Sequence, residues 1–115
     1  MITLLSHGFK FGRPAANVII DVSFLPNPWR YPERCPEAVL QDSEAFYDLV
    51  ESVFRLAKTY HKHYPAESIV IGICCSAGEY RSPIVAEAVS TKLSAIGIKH
   101  TLHHNHARNR GKCHT

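Results

Sequence analysis

Ser68-Ile69-Val70-Ile71-Gly72-Ile73-Cys74, followed at once by Cys75-Ser76-Ala77-Gly78-Glu79-Tyr80-Arg81-Ser82-Pro83, is the stretch that decides the fold. The first part is a continuous run rich in β-branched side chains. Without polar alternation it reads as a central strand covered on both faces, as in a parallel sheet. Ser82 then reads as an N-cap and Pro83 as the first helical residue. Beyond them Val85, Ala88, Val89, Leu93 and Ile96 form one apolar stripe, and Gly97 stops the helix.

Working outward, two short apolar runs precede this unit, Ile2 to Leu5 and Val18 to Val22, and both read as buried strands. Gly8, Gly12 and Pro14 punctuate a loop between them that carries Lys10 and Arg13. The prolines of Leu25-Pro26-Asn27-Pro28-Trp29-Arg30-Tyr31-Pro32 forbid regular structure, so this segment reads as a long surface loop. From Ser43 to about His63, Phe46, Leu49, Val50, Val53, Phe54, Ala57 and Tyr60 make a helical stripe, capped by Asp42 or Ser43 and ended by Pro65. A last strand runs from Lys99 to His103. The alternation predicts an α/β domain, a small and mostly parallel sheet of about four strands with flanking helices. Residues 1–103 form that domain and 104–115 a basic, His-rich tail.

The bulk numbers fit one core. The chain has 115 residues, 45% of them apolar, and no apolar run approaches the length of a membrane helix. Neither a membrane partner nor a signal peptide is expected, and the location expected is cytoplasmic. Cys35, Cys74, Cys75 and Cys113 do not form a secreted framework, and all four read as reduced thiols. Residues 99–115 hold Lys99, Arg108, Arg110 and Lys112 with no acid, while the rest of the chain sums to one negative charge. A basic end on a near-neutral body suits either a polyanion or plain solvation. Lys10, Arg13, Arg108, Arg110 and Lys112 are the candidates for RNA contact. The histidines of the tail lack a second pair of spaced ligands, so neither a metal nor another cofactor is expected.

The junction from Cys75 to Ser82 carries the chemistry. Unpaired N–H groups and the positive end of a helix dipole favour an anion there. Ser76, Ala77 and Gly78 are small enough for the backbone to approach an oxyanion, and Arg81 can add a guanidinium fork. In parallel sheets ligands gather beyond the carboxyl ends of strands. Cys-x5-Arg-Ser is also the spacing of cysteine-dependent phosphatases, and Arg81-Ser82-Pro83-Ile84 resembles the low-molecular-weight tyrosine phosphatases. In that chemistry Cys75 attacks phosphorus, Arg81 holds the oxygens and Ser82 assists the thiolate. A general acid is hard to find, because residues 88–115 contain no Asp or Glu; Asp21 is the one acid placed just after a strand. Catalysis is therefore the second reading and an anion site the first.

Longer motifs point the same way. Ser6-His7-Gly8-Phe9-Lys10-Phe11-Gly12-Arg13-Pro14, Ile20-Asp21-Val22-Ser23-Phe24-Leu25-Pro26-Asn27-Pro28 and Ile73 to Ser82, with Ala86-Glu87 after them, resemble the C-terminal domain of the RNase adapter protein RapZ. The resemblance implies a regulator that senses a sugar phosphate, glucosamine-6-phosphate in the family, and binds RNA. It implies that Asp21 and Asn27 meet the sugar or brace the loop. Cys75, Ser76, Ala77, Gly78, Arg81 and Ser82 would line the phosphate site, and His104 would close it from the last strand. Ser23, Trp29, Glu79 and Tyr80 depart from the family pattern. Glu79 stands where the family has a basic residue and should weaken an anion contact. No Gly-x4-Gly-Lys-Ser/Thr sequence occurs, which argues against nucleotide hydrolysis by these residues. A module that contacts a partner protein or a second copy, without ligand, is the third reading.

Overall fold

The computed structural model describes residues 1–110. Four parallel strands form one sheet in the order β2-β3-β1-β4: β1 Ile2–Gly8, β2 Val18–Asp21, β3 Ile69–Cys75 and β4 His100–His104. Three α-helices accompany them, α1 Pro36–Gln41, α2 Glu44–His63 and α3 Arg81–Ala95. The α/β class and parallel sheet expected from the sequence are what the chain adopts. Among the described residues no helix is long and apolar enough to cross a membrane.

β3 lies inside the sheet, and this is why it carries no polar alternation. One face presents Ile69, Ile71 and Ile73 beside Ile2 and Leu4 of β1; Phe46, Val50, Val53 and Ala57 of α2 pack there with Val85, Val89 and Leu93 of α3. On the opposite face a Cβ added to Gly72 would lie 3.3 Å from Ala16 and 3.4 Å from Pro14, so the loop before β2 covers the strand there. α3 ends as its sequence predicts. Gly97 takes φ +76, and the N–H groups of Gly97 and Ile98 return to the carbonyls of Ser94 and Leu93.

Several boundaries differ from the sequence reading. β1 does not stop at Leu5 but runs through Ser6 and His7 to Gly8, paired along its length with β3. The stretch after Cys35 forms α1, a six-residue helix with Pro36 at its start. α3 begins at Arg81, with Tyr80 in the cap position, so Ser82 is not its N-cap. The Ser82 hydroxyl instead reaches the carbonyl of His7 at 3.4 Å and the sulfur of Cys75 at 3.3 Å. Cys35 is disulfide-bonded, whereas Cys74 and Cys75 are free, so the expectation of four reduced thiols fails at Cys35.

Candidate functional site

The carboxyl ends of β3 and β1 meet the start of α3 in one corner. Gly8 and Gly78 lie back to back there: a Cβ on Gly8 would fall 2.4 Å from the Ala77 carbonyl, and one on Gly78 would fall 2.6 Å from the Gly8 nitrogen. Gly78 also takes φ +73. The Lys10 N–H donates to the Ser76 carbonyl at 3.0 Å, so the loop is pinned to the segment after β1. The result is a tight backbone turn directly ahead of a fifteen-residue helix, at the positive end of its dipole.

A cavity of about 140 Å³ opens over this turn, lined by Asn27, Trp29, Cys75, Ser76, Ala77, Glu79, Tyr80 and Arg81. A wider one of about 640 Å³ adjoins it and shares Asn27, Ser76 and Arg81. Arg81 stands between the two. Its Nη1 donates to the Ser23 carbonyl at 2.6 Å and the Leu25 carbonyl at 3.4 Å, so the guanidinium fastens the 23–25 loop while lining both cavities. The Asn27 side chain accepts from the Trp29 N–H at 3.1 Å and braces that loop from within. Ser76 is exposed, Ala77 half-buried and Gly78 buried.

Residues 1–108 match the family described as the RapZ C-terminal domain. The chain belongs to that family. Curated relatives called nucleotide-binding proteins are similar to it. One from Corynebacterium aurimucosum is 34% identical, over 93% of this chain and 41% of the relative. A relative from Anaeromyxobacter sp. strain K is 32% identical, over 84% and 37%. One from Limosilactobacillus reuteri is 30% identical, over 90% and 40%. The chain thus spans about two fifths of the length of these relatives.

Within this RapZ C-terminal domain the sequence-named residues divide. Asn27, Cys75, Ser76, Ala77 and Arg81 share one cavity, with Gly78 and Ser82 beneath it. Asp21 is spent on a turn, its Oδ1 accepting the Ser23 N–H at 2.8 Å. His104 lines neither of the two cavities over the loop. Its Nδ1 meets the Ser6 hydroxyl at 2.6 Å, and its Nε2 meets Glu87 at 3.1 Å. Cys75 is 2% exposed, and its sulfur accepts the Ser82 N–H at 3.4 Å. Burial, with Cys75 and Asp21 nearby, pushes the adjoining Cys74 thiol up to about 11, so that thiol stays protonated.

Two of the basic residues named from the sequence, Arg108 and Arg110, are paired within the domain. Arg110 bonds both oxygens of Glu87 at 2.6 and 2.7 Å and reaches Glu37 at 2.8 Å. Arg108 lies 3.9 Å from Glu79. Lys10 and Arg13 are exposed, and Lys112 falls outside the described residues.

Sequence reasoning gave no site role to His7 or Asn105 and weighed His106 only among the tail histidines for a metal, yet these three tie the corner together. His7 Nε2 donates to the Gly12 carbonyl at 2.9 Å, and its Nδ1 accepts from Asn105 at 2.9 Å. His106 Nδ1 accepts the Gly8 N–H at 3.1 Å while its ring stacks on Phe11 at 3.9 Å. The available signal was the Ser6-His7-Gly8 run. Desolvation, then His7 and Lys10, hold His106 below the usual histidine value; desolvation does the same to His104 against the opposing pull of Glu87. A lowered folded-state value means the unfolded chain takes up protons first as pH falls. Stability is therefore whole above about pH 6.5 and lost progressively below it. Thermal unfolding across that range should show the loss. His106→Asn, whose Oδ1 can accept the same N–H without titrating, should reduce it. An unchanged acid limb in that variant would remove His106 from the account.

Proposed function

We propose that this domain is a regulatory module that holds a phosphorylated small molecule, with a sugar phosphate as its ligand class, on the Cys75–Ser82 loop. The observation that carries the reading is the turn between β3 and α3. Gly8 and Gly78 in contact and a left-handed Gly78 fold the backbone into a tight turn at the start of a long helix, beside a small cavity that Arg81 also lines. The adjoining wider cavity has room for a sugar, with Asn27 and Ser76 on its wall.

Catalysis by Cys75 is less well supported. A sulfur 2% exposed cannot approach phosphorus in line without movement, and the carboxylate of Asp21 is occupied by its own turn. The Ser82 contact to Cys75 is the feature that keeps a phosphatase on the table.

One titration separates the readings. The chain and its Arg81→Ala and Arg81→Lys variants are titrated with glucosamine-6-phosphate, glucosamine and inorganic phosphate while released phosphate is assayed. Binding that needs the phosphate, weakens roughly tenfold in Arg81→Ala and recovers in part in Arg81→Lys is expected, without release. Release abolished by Cys75→Ser would replace the sensor with an enzyme. Absence of binding to all three compounds would end the ligand reading.

A further inference from the structure

Residues 105–110 cross the carboxyl edge of the sheet as a strap. At one end Asn105 and His106 hold His7 and Gly8. In the middle the Arg108 N–H donates to the Glu79 carbonyl at 3.1 Å, and its guanidinium carbon sits 4.9 Å from the centre of the Trp29 ring. Trp29 and Glu79, bonded to each other at 3.1 Å, belong to the wall of the small cavity over the loop. At the far end Arg110 meets Glu37 of α1 and Glu87 of α3.

The strap leads to a cysteine. A further cavity of about 340 Å³ is lined by Cys35 and Glu37 together with Asn109, Arg110, Trp29 and Tyr80. Cys35 is disulfide-bonded, while Cys74 and Cys75 are free. The remaining cysteine of the chain, Cys113, lies outside the described residues. It follows Arg110 by three residues, a span of at most about 10 Å.

The surroundings of Cys35 favour release of its bond. Its sulfur is half-buried, and Glu37 Oε2 lies 3.0 Å away. A disulfide sulfur has no proton to give that carboxylate, whereas a thiol has one. Reduction therefore gains a hydrogen bond that the oxidised form lacks, and a stabilised reduced form makes a disulfide easier to reduce. In a reducing compartment such a bond serves as a switch and not as a permanent staple.

We propose that Cys35 and Cys113 form a redox clasp, which when closed locks the 105–110 strap against Trp29 and Glu79 and when opened by a dithiol reductant frees the rim of the loop cavity. One thiolate of the dithiol attacks a clasp sulfur and expels the other cysteine; its second thiolate then closes on the mixed disulfide and expels the first. The two protons of the dithiol pass to Cys35 and Cys113, and the reductant ends as a cyclic disulfide. As regulation of the site this rests on the phosphate reading above; the clasp itself is read without ligand.

The full chain is held in dithiothreitol or in oxidised glutathione, alkylated without unfolding and weighed intact. Cys74 and Cys75 are 0% and 2% exposed and label slowly, so the reduced chain is expected to gain two labels first and the oxidised chain none. Brief trypsin treatment then reads the strap. Cleavage after Arg108 or Arg110 should be about tenfold faster in the reduced chain, because proteolysis follows the population of the opened form. The cut fragment should stay attached in the oxidised chain and leave in the reduced one. Trp29, the sole tryptophan, should become more open to acrylamide quenching on reduction. Cys35→Ser and Cys113→Ser in oxidised glutathione should both behave as the reduced chain. A disulfide that survives dithiothreitol in the folded chain, or a disulfide-linked dimer, would overturn the clasp. Equal cleavage and quenching in the two redox states would overturn its hold on the strap. If the clasp behaves as expected and inorganic phosphate binds neither redox state, the phosphate reading alone fails.

Discussion

Gly8→Ala is expected to lower the stability of the fold by about 3 kcal/mol, the upper part of the range for atoms forced into a packed site. The new methyl would lie 2.4 Å from the carbonyl carbon and oxygen of Ala77 and meet no flexible side chain. Either β1 or the anion loop must move. Gly78→Ala meets the Gly8 nitrogen at 2.6 Å and the His7 carbonyl carbon at 2.8 Å, and adds the strain of φ +73. Gly12→Ala is the control. Its φ is +92 and ψ −176 with nothing within 4 Å, so it should cost about 2 kcal/mol from backbone strain alone. Urea unfolding of the three variants measures the difference, and an unchanged denaturant slope would place the effect in the folded state. If Gly8→Ala costs no more than Gly12→Ala, the two glycines are not in contact and the loop loses its template. Any phosphate compound that binds the chain should bind Gly8→Ala less well, because the displaced atoms belong to the turn that offers the N–H groups.

The same pair of glycines shows where sequence reading succeeds and where it stops. Gly8 carries the local signature of a loop, and β1 was accordingly expected to end at Leu5. Its real constraint is a backbone approach from Gly78, far away in the chain, which no local pattern reveals. β3, α2 and the body of α3 were legible because burial on a sheet or a single helix face imposes a periodicity. α1 was not, since six residues behind a proline-rich loop are too few to show one. The loop from Cys75 to Ser82 was legible for a different reason: a strand running straight into a helix leaves its junction at the sheet's ligand-binding edge whatever the sequence around it. What closes over that junction was hidden. Trp29 stands out in the sequence only as a departure from the family pattern within a proline-rich segment, and the structure brings it onto Glu79 and Arg108.

Arg110→Ala is expected to cost about 2 kcal/mol, between the small value of an exposed ion pair and the larger loss when one partner of a buried pair is removed. Composition counts this residue as part of a basic tail; geometry makes it a bolt. Its Nε meets Glu37 on α1 and its Nη2 meets both oxygens of Glu87 on α3, with the side chain 16% exposed. Without it, Glu37 and Glu87, at 27% and 36% exposure, lose their shared cation. Nη1 is buried with no hydrogen-bond partner among the described residues, which offsets part of the gain in the folded state. The charge also acts on His104, whose Nε2 lies 3.1 Å from Glu87 and whose proton affinity Arg110 depresses. Removing Arg110 should therefore raise the His104 pKa and let its imidazolium take over the pairing with Glu87. The loss in Arg110→Ala should then be larger near pH 8 than at a pH below the ordinary histidine value of about 6.5, because the imidazolium of His104 forms more readily in the variant. Arg110→Lys keeps the charge and loses the fork, so it should recover only part of the stability. A loss that is equal at the two pH values would show that His104 does not share Glu87 with Arg110. A negligible loss at both would return Arg110 to the solvent, as a free cation of the kind its composition first suggests.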